Sequence, residues 1–275
     1  MQAVLSALAA DCAERGISVL TPDDIRQTGL REAILRDVQR PGIENVRRRV
    51  ALVDALRRYG AAGATLVISE ENIFGDADGL LVNPVYPRMA VRSRNLRALA
   101  AAVETELFVA IRSWDDILPS AYATWLRCRP ILGGFAGIRH AALARPPCWV
   151  EFVDRMTALF PGARLRLWLH EDYRAGAATV LNAMVGDWLA DLPEIADPAS
   201  TRTPSAAAVA QAEQMQPHLS MAERKAAVDA LYQDDLLRNG AKFMPFSADE
   251  RARLREAYEA QVAQLRARQP EDFLL

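Results

Sequence analysis

The chain has 275 residues, 51% of them hydrophobic and 25% charged, which is an ordinary globular balance with enough apolar material for one large domain. A formal net charge of -2 excludes a global field that would gather nucleic acid or an anionic membrane surface. Cys12, Cys128 and Cys148 are scattered, as are His140, His170 and His218, so no metal is expected and the thiols point to a reducing, cytoplasmic setting.

Met1 to Ala10 is apolar, but it lacks a basic n-region and is followed at once by Asp11 and Glu14, so it does not read as a signal peptide. No stretch reaches about 18 uninterrupted apolar residues, and no membrane span is expected. Val4, Leu5, Leu8 and Cys12 recur at helical spacing, and Gly16 supplies a stop. Ile17 to Leu20 reads as a strand, and Thr21-Pro22-Asp23-Asp24 as a helix start. Helices are expected over about 23–38 and 43–59, joined at Pro41-Gly42. Arg47, Arg48, Arg49, Arg57 and Arg58 make the second of these either an anion-binding face or a solvated side whose stems lie on the sheet.

Thr65 to Ile68 is the clearest strand, and it ends in Ser69-Glu70-Glu71-Asn72. A helix over about 90–102, a strand at Leu107 to Ile111 and a helix from about Asp116 to Arg127 follow. Gly133-Gly134-Phe135-Ala136-Gly137 reads as a mobile loop. A helix over 149–159 leads to a strand at Leu165 to Leu169. The Ala, Pro, Ser and Thr of 193–217 read as a loop, and helices over about 219–235 and 248–267 close the chain. Continuous apolar strands alternating with helices imply a single α/β domain over 1–275, with a mostly parallel sheet and a helical C-terminal portion over 219–267.

In an open parallel sheet, ligands sit at the carboxyl ends of strands near the helices that follow. Arg112 leaves its strand at such an end, and Pro119 suits a helix's first turn, which brings Ser120 within reach. A guanidinium, a hydroxyl and helix-end N–H groups there would satisfy a phosphate; the alternative is an ion-paired Arg112 and an ordinary helical Ser120. Trp114 and Trp125 are candidates to stack on an adenine, or core residues.

Phe108-Val109-Ala110-Ile111-Arg112 followed by Ser120-Ala121-Tyr122 resembles the 3′-phosphate-binding segment of sulfotransferases that use 3′-phosphoadenosine 5′-phosphosulfate (PAPS). In that family a strand ends in Arg, and a Ser eight residues on opens a helix. Two further segments are similar to bacterial members: Ser69-Glu70-Glu71-Asn72, and Trp149 to Phe160 with the later strand that ends His170-Glu171-Asp172-Tyr173. The likeness runs from Met1 to about Lys242. It implies a P-loop-like sulfotransferase fold and sulfuryl transfer from PAPS to a hydroxyl of a carbohydrate or small metabolite. By the same resemblance Arg112 and Ser120 hold the donor, Lys242 belongs to a late basic loop over it, and Glu71 is the general base, with Glu70 or His170 as alternatives.

The family's most diagnostic element is a strand, a loop with Gly, Lys and Thr, and a helix, whose N–H groups and Lys cradle the phosphosulfate. No Gly-x-x-Gly-Lys-Thr segment occurs here, and Gly133 to Gly137 lacks Lys and Ser or Thr. Met1-Gln2-Ala3-Val4-Leu5 is similar to the helix that follows that loop, so the resemblance places the strand and loop upstream of Met1. The alternative is a catalytically inactive relative that binds a nucleotide or a partner protein.

Overall fold

The computed structural model describes residues 1–27, 50, 54, 65–131, 133–193, 203–215, 218–237 and 241–275. Of the helices expected over about 23–38 and 43–59, residues 28–38 and all of 43–59 except positions 50 and 54, with the five arginines of the second helix, lie outside the described residues.

Strand β1 (Ile17–Leu20) pairs in parallel with β2 (Thr65–Ile68), Ile17 opposite Thr65 and Leu20 opposite Ile68. Strand β3 (Glu106–Ile111) pairs in parallel with β4 (Arg164–Leu169), Glu106 opposite Arg164 and Ile111 opposite Leu169. The parallel pairing is as expected, but it occurs as two separate two-stranded sheets among the described residues. The far edge of β4 is met by the chain end, where Phe273 bridges Leu167 and the Leu274 N–H donates to Leu167 O at 2.8 Å.

The apolar runs of β3 and β4 are continuous because each face of this pair has its own cover. Leu107, Val109, Ile111, Leu165 and Leu167 point into a main core, while Phe108 and Trp168 point the other way into a second cluster. Ile17, Val19 and Val67 of the β1–β2 pair reach that same second cluster. Its helices are α1 (Gln2–Ala7) and α2 (Ala9–Glu14), which bury Leu5, Leu8 and Cys12, and α9 (Tyr173–Val185), which buries Val180, Leu181, Met184 and Val185. Gly16 ends the opening helices at φ 72, a left-handed conformation that suits glycine. Helix α3 (Pro22–Gln27) follows β1, and the Thr21 N–H and Oγ1 both donate to Asp24 Oδ2, at 2.8 and 2.7 Å.

The expected helix over 90–102 is divided into α4 (Met89–Arg92) and α5 (Arg94–Ala100). At the break, buried Ser93 donates its hydroxyl to Met89 O at 2.8 Å. Helix α6 (Trp114–Leu126) begins earlier than Asp116, so Pro119 lies inside the helix rather than in its first turn. Helix α7 (Gly134–Ala144) corrects the mobile loop: Gly133 and Gly134 turn the chain at φ 80 and 60, and Phe135 and Ala142 are buried beyond them. Helix α8 (Trp149–Leu159) has the expected span.

Helix α10 (Ala206–Gln214) corrects the loop expected over 193–217. Ser205 caps it, accepting from the Ala208 N–H, and Ala208, Val209 and Ala212 enter the main core. Alanine-rich composition is the signature of a good helix former, and a serine cap gives it a start. Helices α11 (Met221–Leu237) and α12 (Ala248–Arg268) complete the fold. Ser247 and Glu250 form a reciprocal capping box at the start of α12. No helix of the described residues is long and apolar enough to cross a membrane.

Candidate functional site

The carboxyl ends of β3 and β4 meet at the start of α6. Ser113 takes an extended conformation as N-cap, and its N–H donates to Glu171 Oε1 at 2.8 Å. Glu171 Oε2 in turn accepts from the Tyr258 hydroxyl at 3.0 Å, so α12 braces this corner. Buried Asp115 adds a second brace by pairing with Arg255 at 2.9 Å.

Arg112 projects here, but its guanidinium is held by Asp116, with Nε donating to Oδ2 at 2.6 Å. The Lys242 ammonium closes on the other oxygen of the same carboxylate. Lys242 is brought in by α10, because it bridges Ser205 and the Phe243 N–H donates to Pro204 O at 2.8 Å. Burial pushes the Asp116 carboxyl up, but the Lys242 hydrogen bond and the Arg112 charge together hold it below the ordinary range. His170, at the end of β4, shares this field. Its pKa is lowered, first by burial and then by Arg112, against the opposing charges of Glu171 and Asp116. Arg112 and Lys242 therefore converge on Asp116, which was not among the expected site residues, and His170 feels the same charges. Its spacing carried the signal: Asp116 stands one turn after Arg112 and one turn before Ser120.

Ser120 lies on the next turn of α6 and lines a cavity of about 360 Å³ with Glu71, Asn72, Tyr86, Arg127 and Tyr232. Glu71 is exposed, and its Oε2 accepts from Gln2 Nε2 at 3.4 Å, beside the start of α1. Glu70 is buried and differently employed: its Oε1 accepts from the Asn72 N–H at 2.9 Å and Asn72 Nδ2 at 3.0 Å. Asn72 thus orients the neighbour of Glu71 rather than Glu71 itself. The other oxygen of Glu70 is buried with no hydrogen-bond partner among the described residues.

Tyr86 forms part of the cavity wall with φ 50, a strained value for an aromatic residue. Its ring fills the space beside Gly75 and Gly79, where an added Cβ would meet ring carbon Cδ1 at 2.6 and 2.5 Å. Nothing in the sequence singled out Tyr86 or Arg127, because both reach the cavity through tertiary packing.

Trp114 is fully buried and stacks on Trp149, with ring centroids 4.4 Å apart. The Trp114 indole N–H donates to Gln261 Oε1 at 3.1 Å and that of Trp149 to Arg112 O at 2.9 Å. Trp114 is a fully buried core residue with no face left for an adenine, and it is Trp149 that positions Arg112. Among the described residues, no group of three His, Cys, Asp or Glu side chains can hold a metal ion. No family model, curated protein or solved structure matches the chain.

Proposed function

We propose that the chain binds a nucleotide carrying a 3′-phosphate through Arg112, Ser120 and Lys242, and transfers a sulfuryl group from PAPS to a hydroxyl held in the adjacent cavity. The observation that carries this reading is the position of Ser120. It lies one turn from the Arg112–Asp116–Lys242 cluster and also on the wall of the cavity that Glu71 lines. A phosphate-binding corner and a carboxylate-lined cavity therefore share one helix. Asp116 does not exhaust the two cations: a guanidinium has five N–H donors and an ammonium three. Two cations around one carboxylate leave net positive charge, and a neutral His170 does not add to it.

In the chemistry this implies, the acceptor oxygen attacks the donor sulfur while Glu71 takes the hydroxyl proton. The bond from sulfur to the bridging phosphate oxygen breaks, and adenosine 3′,5′-bisphosphate leaves with the electron pair. Glu71 suits the base role better than Glu70, whose Oε1 is already committed to Asn72. His170 sits with the cationic cluster rather than among the cavity-lining residues.

A second reading, nucleotide binding without transfer, is favoured by the lack of a Gly-x-x-Gly-Lys-Thr segment to cradle a phosphosulfate. Calorimetry separates the alternatives. Adenosine 3′,5′-bisphosphate should bind more tightly than adenosine 5′-monophosphate, and Arg112→Ala should remove about 1.5–3 kcal/mol of that binding. Equal affinity for the two nucleotides sinks both readings. Preference for the bisphosphate without turnover of PAPS selects the second.

A further inference from the structure

We infer that the cavity selects an acceptor that carries an acid group as well as a hydroxyl, and that Arg127 recognises the acid. This inference rests on the proposed transfer reading and names its substrate class. Ile117, Ser120, Thr124 and Arg127 line the cavity from one face of α6 and its last turn, at successive spacings of three and four residues. Arg127, the C-cap residue, keeps helical backbone angles, φ -63 and ψ -28. The seven positions from Ser120 to Arg127 therefore span roughly 10 Å along the helix. On this helix face Ser120, beside the proposed donor corner, and Arg127 stand at opposite ends, and Glu71 lines the same cavity. Among the described lining residues Glu71 is the carboxylate and Arg127 the cation.

The surroundings of Arg127 leave it capacity for an anion. Its Nε is buried and faces Asp229 Oδ1 at 3.1 Å, so an anion in the cavity would be met by the terminal N–H groups. Asp229 is shared with Lys225, which binds its other oxygen, so the three side chains together retain a positive charge. The guanidinium lies 5.6 Å above the Tyr232 ring, which fixes its direction, and the Tyr232 hydroxyl is held by Ala123 O at 3.2 Å. A planar fork with terminal N–H groups on a cavity wall suits a carboxylate, sulfate or phosphate. Ala123 and Thr124 stand between the two ends on the helix, and Leu80, Ile117 and the Tyr86 ring add apolar lining. The fitting acceptor has a hydroxyl and an acid at opposite ends of an elongated skeleton.

The test uses 4-hydroxycinnamate and its neutral methyl ester as probes, titrated into the full chain by calorimetry with no sulfuryl donor present. The acid should bind roughly tenfold or more tightly than the ester at low salt, the scale of one hydrogen bond to a charged group. The preference should shrink as salt is added. Arg127→Gln should abolish it, and Arg127→Lys, which keeps the charge, should retain part of it. Equal binding of acid and ester to the native chain, no binding of the acid, or a preference that survives in Arg127→Gln overturns the inference. The native-chain comparison stands even if a variant folds poorly. A native chain that prefers the acid yet turns over no PAPS overturns the transfer reading and leaves acid recognition standing.

Discussion

Asp116 decides how the proposed anion corner behaves. It neutralises part of the charge that a phosphate would use, and in return it ties β3, α6 and the Lys242 turn together. Asp116→Asn should therefore strengthen binding of adenosine 3′,5′-bisphosphate while weakening the fold. Because the folded pKa of Asp116 is depressed, its contribution is fully present above the ordinary aspartate pKa of about 3.9 and is lost as pH falls through the folded value. The native chain should lose more stability than Asp116→Asn on acidification below about pH 4, read from melting curves. Parallel curves would mean that Asp116 does not couple to folding.

Glu71 invites a different comparison. Glu71→Gln should lower turnover by about 10²–10⁴-fold with nucleotide affinity unchanged, the usual contribution of a general base. Unaltered turnover would return Glu71 to a structural role beside Gln2.

Among the elements, α6 carries the site at its start and depends on a buried arginine at its end. Arg224 of α11 is 1% exposed and donates to Leu126 O at 2.7 Å and to Ala212 O at 2.8 Å. Those carbonyls belong to the last turns of α6 and α10, where helix ends leave acceptors unsatisfied and carry partial negative charge. One side chain thus finishes two helices and fastens α10 to the core. Arg224→Met should cost about 2–6 kcal/mol, because each of the two orphaned carbonyls costs about 1–3. Denaturant unfolding measures this, and a loss below about 1 kcal/mol would show that water replaces the guanidinium.

This fastening also explains what could be read from the sequence and what could not. Ile17 to Leu20, Thr65 to Ile68 and Trp149 to Leu159 are local signals of apolar run or period, and the structure gives them those bounds. Helix α10 is held by Arg224 and Asp235 across the chain, and its alanines show no apolar period, so composition alone read as loop. The glycines of 133–137 read as a mobile loop, because nothing local shows that Phe135 packs on Tyr122 with ring centroids 5.3 Å apart and that the chain continues as a helix. In the site, Arg112 and Ser120 were visible because they share one strand–helix unit. Lys242 at Asp116 and Arg127 beside Tyr232 are meetings of distant segments.

At the scale of the whole molecule, the two strand pairs contribute different halves of the proposed chemistry. The β3–β4 pair, with α6, supplies Arg112, Ser120 and His170. The β1–β2 pair supplies Glu71 just beyond β2. The second cluster joins them, since Val19 and Val67 from one pair and Phe108 and Trp168 from the other pack with Leu5, Leu8 and Val180. Leu5 is fully buried at its centre, on the helix whose first turn touches Glu71. Leu5→Ala should cost about 2–5 kcal/mol of stability, as large-to-small core changes do. Its functional effect should be selective. Loosening the cluster lets Glu71 move relative to Ser120, and misplacement of about 1 Å can cost 10²-fold in rate. Of the proposed phosphate ligands, Arg112 directly follows β3 of the other pair and Ser120 lies on α6, which packs in the main core, so nucleotide affinity should hold. Calorimetry and turnover assays below the melting temperature of the variant compare the two quantities. Equal losses in affinity and turnover would mean that the nucleotide corner also depends on the second cluster.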